Sequence, residues 1–371
     1  MKLRRLTIRE MRLDLKHPFE TSFARVTDQR FLLLEARVDD VTGWAECVAD
    51  WSPGYSPETV RTAGHVIRDF LWPLAADATY GHPDEVLPSF ARVRGHNMAK
   101  AAIEMACWDA WARMQEAPLS AVLGGERDRI LSGVSIGIQD TVEDLLEKIG
   151  MELDRGYRRI KIKIKPGWDL DVVRRVRERF PEAPLMVDAN SAYSLDDIPL
   201  FQELDQFGLT MIEQPLAHDD MWDHRALQAR IRTPICLDES VHSRGDARRA
   251  IAMGACRIIN IKAGRVGGLS SARDISRLAE EAGVPVWCGG MLESGVGRAH
   301  NIHLSTLSGF TMPGDVSASE RYFVEEIIEP PVIVDGDGGI TPPTGPGFGF
   351  ALRHDVIRRH TLDSLTLKAP G

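Results

Sequence analysis

The chain has 371 residues, 43% of them hydrophobic, with a formal net charge of −9 and a pI of about 5.7. That length can bury a large core and suits two domains, whereas the acidic balance argues against a general nucleic-acid binder, whose phosphate contacts need a basic face. The five cysteines (Cys47, Cys107, Cys236, Cys256, Cys288) are scattered and never spaced C-x-x-C, which points to neither a disulfide framework nor a thiolate metal site and fits reduced thiols in a cytoplasm.

The opening MKLRRLTIREMRLDL alternates apolar and charged residues and lacks the continuous apolar run of a signal peptide. Nothing further along is apolar enough to span a bilayer, so a soluble protein of the cytoplasm is expected. Residues 2 to about 50 read as strands: LTIREMRLDL, FLLLEARVDD and GWAECV, separated by turn signals at His17-Pro18 and Asp39-Asp40. Residues 56–76 and 97–116 read as helices, the second with Asn97 as its cap and Ile103, Ala106, Cys107, Ala110, Trp111 and Met114 on one face. The first 125 residues therefore form an α+β unit, with Gly124-Gly125 at its boundary.

Beyond Leu131 the rhythm changes. GVSIGI is a strand, and Asp140 is placed to cap a helix carrying Val142, Leu145, Leu146 and Ile149 and ending near Gly156. Five runs follow: RIKIKIKPG, LMVDAN, MIEQP, ICLDES and IINIKAG. Measured from Lys163 through Asp188, Glu213, Asp238 and Lys262, the steps are 25, 25, 25 and 24 residues. Helical segments at 169–180, 196–206, 224–232, 243–254 and 270–283 intervene, VPVWCGG makes a seventh strand, and a weaker eighth run lies near Phe310–Met312. One strand, one helix and two short loops take roughly 25 residues, so this is the beat of a (β/α) barrel over 126–319. A doubly wound open sheet is the alternative, but it would not end five successive strands in charges. The Gly/Pro-rich remainder, 320–371, cannot supply a barrel unit and is expected to pack back on the N-terminal domain. GPGFG (345–349) contains Pro and opens no helix, so it reads as a turn rather than a nucleotide loop, and GRVGG (264–268) is read the same way.

Strand C-termini of a barrel open into its mouth, where active sites sit. Asp188, Glu213 and Asp238 end neighbouring strands and form one carboxylate wall. Each alone could cap the following helix; three in register repel one another unless a cation joins them, and all-oxygen ligation suits Mg²⁺ or Mn²⁺ over zinc. In the K-x-K run, Lys161, Lys163 and Lys165 share one strand face and Ile160, Ile162 and Ile164 the other. With the isoleucines toward the helices, the lysines face the barrel interior; an edge strand with solvated lysines is the competing reading. Strands two and six of eight stand opposite, so Lys163 and Lys262 face each other across the mouth. Cationic neighbours are expected to lower the lysine pKa values and make these amines usable bases. A metal flanked by opposed lysines suits removal of a proton α to a carboxylate through an enediolate, with reprotonation from either face or loss of a β-leaving group.

These residues resemble the enolase superfamily, in its muconate lactonizing enzyme subgroup. The likeness is carried by HPFETSF, GWAECV, GHNMAKAAIEMA, GVSIGI, RIKIKIKPGWD, VDANSAY, IEQPL, TPICLDES, NIKAGRVGG, VWCGGMLESGVGRAHN and PGDVSAS, which together run over essentially the whole chain. Within the subgroup it is similar to the branch of o-succinylbenzoate synthases and N-succinylamino acid (N-acylamino acid) racemases. The resemblance implies a (β/α)7β TIM-like barrel under an α+β capping domain completed by the C-terminal segment. It implies Mg²⁺, with Mn²⁺ or Co²⁺ able to substitute, on Asp188, Glu213 and Asp238, and Lys163 and Lys262 as the acid/base pair. Lys161 would assist the substrate carboxylate and keep Lys163 basic, with Asn190 and Glu239 supporting metal and lysine. Ser135, Gly289, Gly290, Met291 and Leu292 would line the substrate site, and the loop bearing Phe19, Thr21, Ser22 and Phe23 would close over it. Arg265 resembles an arginine of the racemase-capable group; an ordinary loop salt bridge is its alternative. The implied activity is racemisation of N-acyl amino acids, dehydration to o-succinylbenzoate in menaquinone biosynthesis, or both, on a small carboxylate substrate in a homo-oligomer without nucleic-acid or membrane partners. A muconate-type cycloisomerase and a non-catalytic binding barrel are the alternatives. Cys288 stands where sugar-acid dehydratases need histidine, and PGDVSAS lacks the Asp-x-Asp of dipeptide epimerases. Lys165 has no assigned role.

Overall fold

The computed structural model describes residues 1–21 and 24–370. Three N-terminal strands, Leu3–Glu20, Arg25–Val38 and Val41–Cys47, pair antiparallel as the alternating pattern predicts. The two-residue period splits this sheet into two buried faces. Leu32, Leu34 and Ala36 turn toward the main core with Ala102, Ile103 and Ala106, while Phe31 and Leu33 join Met11 and Leu13 in a second cluster beneath the C-terminal segment. The main-core face receives helix Asn97–Met114, which is buried on nearly every side rather than along one stripe. Gly43 permits that approach: a Cβ there would lie 2.0 Å from the Ala106 carbonyl oxygen. Asn97 does not cap this helix. The preceding residue is left-handed His96, and the Asn97 amide instead donates to the carbonyls of His242 (2.9 Å) and Arg265 (3.1 Å), so it stitches the cap to two barrel loops.

Seven parallel strands follow in sequential order: Val134–Ile136, Ile160–Lys163, Leu185–Asp188, Ile212–Glu213, Ile235–Leu237, Ile258–Ile261 and Val286–Cys288. The eighth run closes the ring. Phe310 bridges Val286 on one side and Gly314 bridges Ser132 on the other, with Asp315 N donating to Cys288 O (2.8 Å) and Gly133 N to Gly314 O (2.7 Å). Helices alternate with the strands as the beat requires. Two local readings change: Thr141, not Asp140, caps helix Val142–Asp154, and GRVGG enters a helical turn, Ala263–Val266, before its glycines reverse the chain.

The last strand, Thr361–Lys368, pairs antiparallel with the first and becomes the outer edge of the cap sheet. Phe348, Val356 and Ile357 pack between the cap strands and barrel helix Gly295–Leu304, so the C-terminal segment ties both parts together. Among the described residues, no helix is long and apolar enough to cross a membrane.

Candidate active site

The K-x-K strand points its charges inward. Ile160, Ile162 and Ile164 are fully buried in the main core, and Lys161 and Lys163 are buried on the opposite face. Lys165, two residues beyond the strand, leaves the barrel for the rim and reaches the cap at Glu20 (3.8 Å). In register, Lys163 lies beside Asp188 and Asp188 beside Glu213, and Asp238 follows the fifth strand. The loops after these strands are backbone-strained: Asn190, Ser191 and Gln214 all hold positive φ (43°, 64° and 36°), a conformation non-glycine residues adopt rarely and chiefly at functional sites. Gln214 earns its geometry by accepting from the Asp238 amide (3.0 Å) and donating to Ser240 (2.7 Å), which locks the fourth loop to the fifth.

Asp188, Glu213 and Asp238 are each engaged by a cation of the chain. Lys163 Nζ donates to Asp188 (2.6 Å) and Asn190 (2.9 Å), and Asn190 passes its own amide to Glu239 (3.1 Å). Lys161 Nζ reaches Glu213 (3.0 Å), Asp315 (2.7 Å) and Asp188 (3.5 Å). Lys262 Nζ donates to Asp238 (2.8 Å) and to the Tyr55 hydroxyl (3.1 Å). The electrostatics follow. Burial alone would lower Lys161, but Asp315, Glu213 and Asp188 overcome it and hold the ammonium above its ordinary range. Lys262 is likewise raised, with Tyr55, Glu213 and Glu239 outweighing burial. At Lys262 the expected lowering by cationic neighbours is therefore reversed in this arrangement: a carboxylate is nearer than other cations. Asp188 falls to about 2, since Lys163 and Lys161 outweigh burial.

Repulsion between neighbouring carboxylates nonetheless persists. Burial, then the neighbouring Asp188, raises Glu213, and the same two causes lift Glu239 to about 6. Glu239 Oε2 and Asn260 Oδ1 are buried without a partner. With the side chains as they stand, no three His, Cys, Asp or Glu among the described residues converge on a single cation position; the oxygens of Asp188, Glu213 and Asp238 are turned to lysines, Arg265, Tyr55, Asn260 and the Asn190 amide. The donor set itself (three buried carboxylates on consecutive strands, with repulsion unrelieved at Glu213) fits a hard divalent cation.

A cavity of about 370 Å³ opens above these groups, between barrel and cap. Lys161, Lys163, Lys262 and Asn190 form its floor, and Ser135, Phe19, Gly290, Met291 and Leu292 line it as the resemblance implies. Ser22 and Phe23 lie outside the described residues. Two expected lining residues are elsewhere. Gly289 packs on Asn260, where a Cβ would meet the side-chain oxygen at 2.1 Å. Arg265 is buried below the floor, bonded to Asp238, to the Val241 carbonyl (2.8 Å), to the Asn260 carbonyl (2.6 Å) and to Tyr55 (3.0 Å). Sequence reasoning missed Tyr55, Asn260 and Asp315. Asn260 donates to Glu213 (2.7 Å) from inside the sixth strand, where its alternation with Ile259 and Ile261 was a usable signal. Asp315 sits at the end of the weak eighth run, whose position would have flagged it; Tyr55, in a cap loop, carried no signal.

Comparison with known proteins agrees with this fold. Residues 4–124 match the model of the mandelate racemase / muconate lactonizing enzyme N-terminal domain, and 144–356 the enolase C-terminal domain-like model. The chain is 53% identical over 355 residues to an o-succinylbenzoate synthase of Geobacillus stearothermophilus, covering 95% of this chain and 94% of that one. It is 46% identical over 362 residues to an N-succinylamino acid racemase of Thermus thermophilus, covering 98% of each. A crystal structure of an enolase-superfamily member from Listeria innocua superposes with a TM-score of 0.96 at 40% identity over the whole of both chains. A muconate cycloisomerase of Rhodococcus opacus is a distant relative, 26% identical over 367 residues, covering 96% of each chain.

Proposed function

Because the chain belongs to the enolase superfamily, we propose that it removes the proton α to a carboxylate, racemising N-succinyl or other N-acyl amino acids, dehydrating a precursor to o-succinylbenzoate, or doing both at one site. The observation that carries this reading is the pair Lys163 and Lys262, which enter one cavity from the second and sixth strands of an eight-membered ring. An α-carbon held between them meets one amine on each face. The lysine on one face takes the proton and the ammonium on the other returns one, which inverts the centre. Dehydration uses the same first step, and a syn elimination needs only Lys163. Lys161 is placed to hold the substrate carboxylate by charge, and the apolar wall of Phe19, Met291 and Leu292 suits a side chain or acyl group and restricts water. Held by Asp188, Glu213 and Asp238, a divalent cation (Mg²⁺, with Mn²⁺ or Co²⁺ able to substitute) would answer the charge developing on the substrate carboxylate and release the lysines from their present partners.

Five buried free thiols support a reducing cytoplasmic setting, and the exposed Trp222, Val324 and Ile333 support self-association, which sedimentation would measure. The decisive experiment incubates the protein and Mg²⁺ with each enantiomer of an N-succinyl amino acid in D₂O, and separately with the synthase substrate. Lys163→Ala and Lys262→Ala should each abolish racemisation, and each should retain exchange of the α-hydrogen of a single enantiomer. Full racemisation by either variant overturns the two-base assignment.

A further inference from the structure

The three lysines of the site differ in what holds them. Among the described residues, the only carboxylate bonded to Lys163 is Asp188, and the only one bonded to Lys262 is Asp238. Both belong to the candidate cation donors. Lys161 also touches two such donors, Glu213 and Asp188, but its shortest ion pair, 2.7 Å, is to Asp315, which is not among them. Asp315 arrives on the eighth run, and its amide is fixed to the Cys288 carbonyl of the seventh strand (2.8 Å). Its other carboxylate oxygen is bonded to Arg159, a residue buried inside the barrel, stacked over Trp287 at 4.3 Å and donating to the Pro313 carbonyl (2.9 Å). Lys161 Nζ lies over the same Trp287 ring at 5.0 Å. Arg159, Asp315 and Lys161 thus form one buried chain around an indole, rising from the barrel core to the cavity floor.

We propose that Asp315 is a positioning residue that fixes Lys161 in place, so that occupation of Asp188, Glu213 and Asp238 by a cation leaves Lys161 anchored while Lys163 and Lys262 lose their carboxylate partners. The inference rests on the proposed function. It gives a physical division of labour among three lysines of one chemistry: the one with an independent counter-ion stays put and meets the substrate carboxylate, and the two without one are free to exchange protons. It also explains why closing the ring matters to the site, since the residues that complete the barrel deliver the counter-ion.

The test reads metal affinity rather than turnover. Without Asp315, Lys161 has no carboxylate except Glu213 and Asp188 and competes with the cation for them. Removing a supporting partner of this kind typically weakens metal binding by about 10–100-fold. Mg²⁺ affinity is measured by calorimetry on the wild type, Asp315→Asn, and Asp315→Asn with Lys161→Met. The expected result is a loss of at least about tenfold in Asp315→Asn, recovered in the double variant because the competitor is gone. A residue serving only the fold would not be rescued by a second truncation. If Asp315→Asn fails to fold because Arg159 is left unbalanced, the same comparison is made in an Arg159→Met background. A wild type that binds no divalent cation overturns the proposed function itself. A wild type that binds, with Asp315→Asn unchanged or the double variant no tighter than the single, overturns the role of Asp315 alone.

Discussion

Glu104 joins the cap to the barrel, and replacing it by Gln should change how stability depends on pH. The residue lies on helix Asn97–Met114 and is fully buried. Helix Leu269–Glu281 begins at Gly268, which has no side chain to cap it. Glu104 supplies the cap from the other domain, accepting from the amides of Leu269 (2.9 Å) and Ser270 (2.8 Å), from the Ser270 hydroxyl and from Trp108 Nε1 (2.9 Å). Burial nevertheless pushes its carboxyl from 4.5 up to about 7, against those hydrogen bonds. A carboxyl raised on folding keeps its proton while the unfolded chain loses one, so stability falls between pH 4.5 and 7 and is level on either side. At about 1.36 kcal/mol per unit, the loss is roughly 3 kcal/mol. Gln cannot ionise and lacks this slope. It also turns an amide donor toward the backbone N–H groups, which costs about 1–3 kcal/mol relative to the protonated carboxyl. Urea unfolding followed by circular dichroism, at several pH values, should therefore show the deficit of Glu104→Gln shrinking by roughly 3 kcal/mol from pH 4.5 to 7.5. A deficit that is flat, or that grows with pH, refutes the reasoning.

Three further outcomes are expected. His303 accepts from the Ser120 amide (3.1 Å) and pairs with the Phe348 carbonyl (3.2 Å), and burial pushes it down to about 4; a lowered histidine loses stability as pH falls from about 6.5 to 4, by roughly 3 kcal/mol. Comparing His303→Gln with wild type by unfolding at pH 7 and pH 4 checks this, the variant losing less on acidification. Gly43→Ala drives a methyl into the Ala106 carbonyl and the Ala110 amide, and thermal melting should register a destabilisation of about 3 kcal/mol or more. Mg²⁺ at about 100 times its dissociation constant should stabilise the wild type by about 2.7 kcal/mol. That gain should vanish with chelator and in Glu213→Gln; a gain of equal size in the variant would place the cation elsewhere.

Much of the site was legible in the chain because each barrel unit announces itself locally. A strand and its helix occupy one stretch, so the 25-residue beat, the alternation of lysine with isoleucine in the second strand and the charges at successive strand ends needed no knowledge of distant contacts. Arg265 shows where that legibility stops. It lies three residues past Lys262, and spacing alone does not tell its two readings apart; the helical turn Ala263–Val266 swings it beneath the floor to a buried salt bridge with Asp238. Asn97 stands at a helix start with a capping side chain, yet two barrel carbonyls claim its amide instead.

By itself, then, the sequence determined the barrel, the order of its strands and which side chains turn inward, since these depend on spacing within a unit. Tertiary structure decided which charges meet. Lys161 and Asp315, Glu104 and Ser270, and Tyr55 and Lys262 are each separated by more than 150 residues and share no periodicity. Burial leaves every one of these groups needing a partner, and only the closed ring with its cap in place determines which partner is within reach.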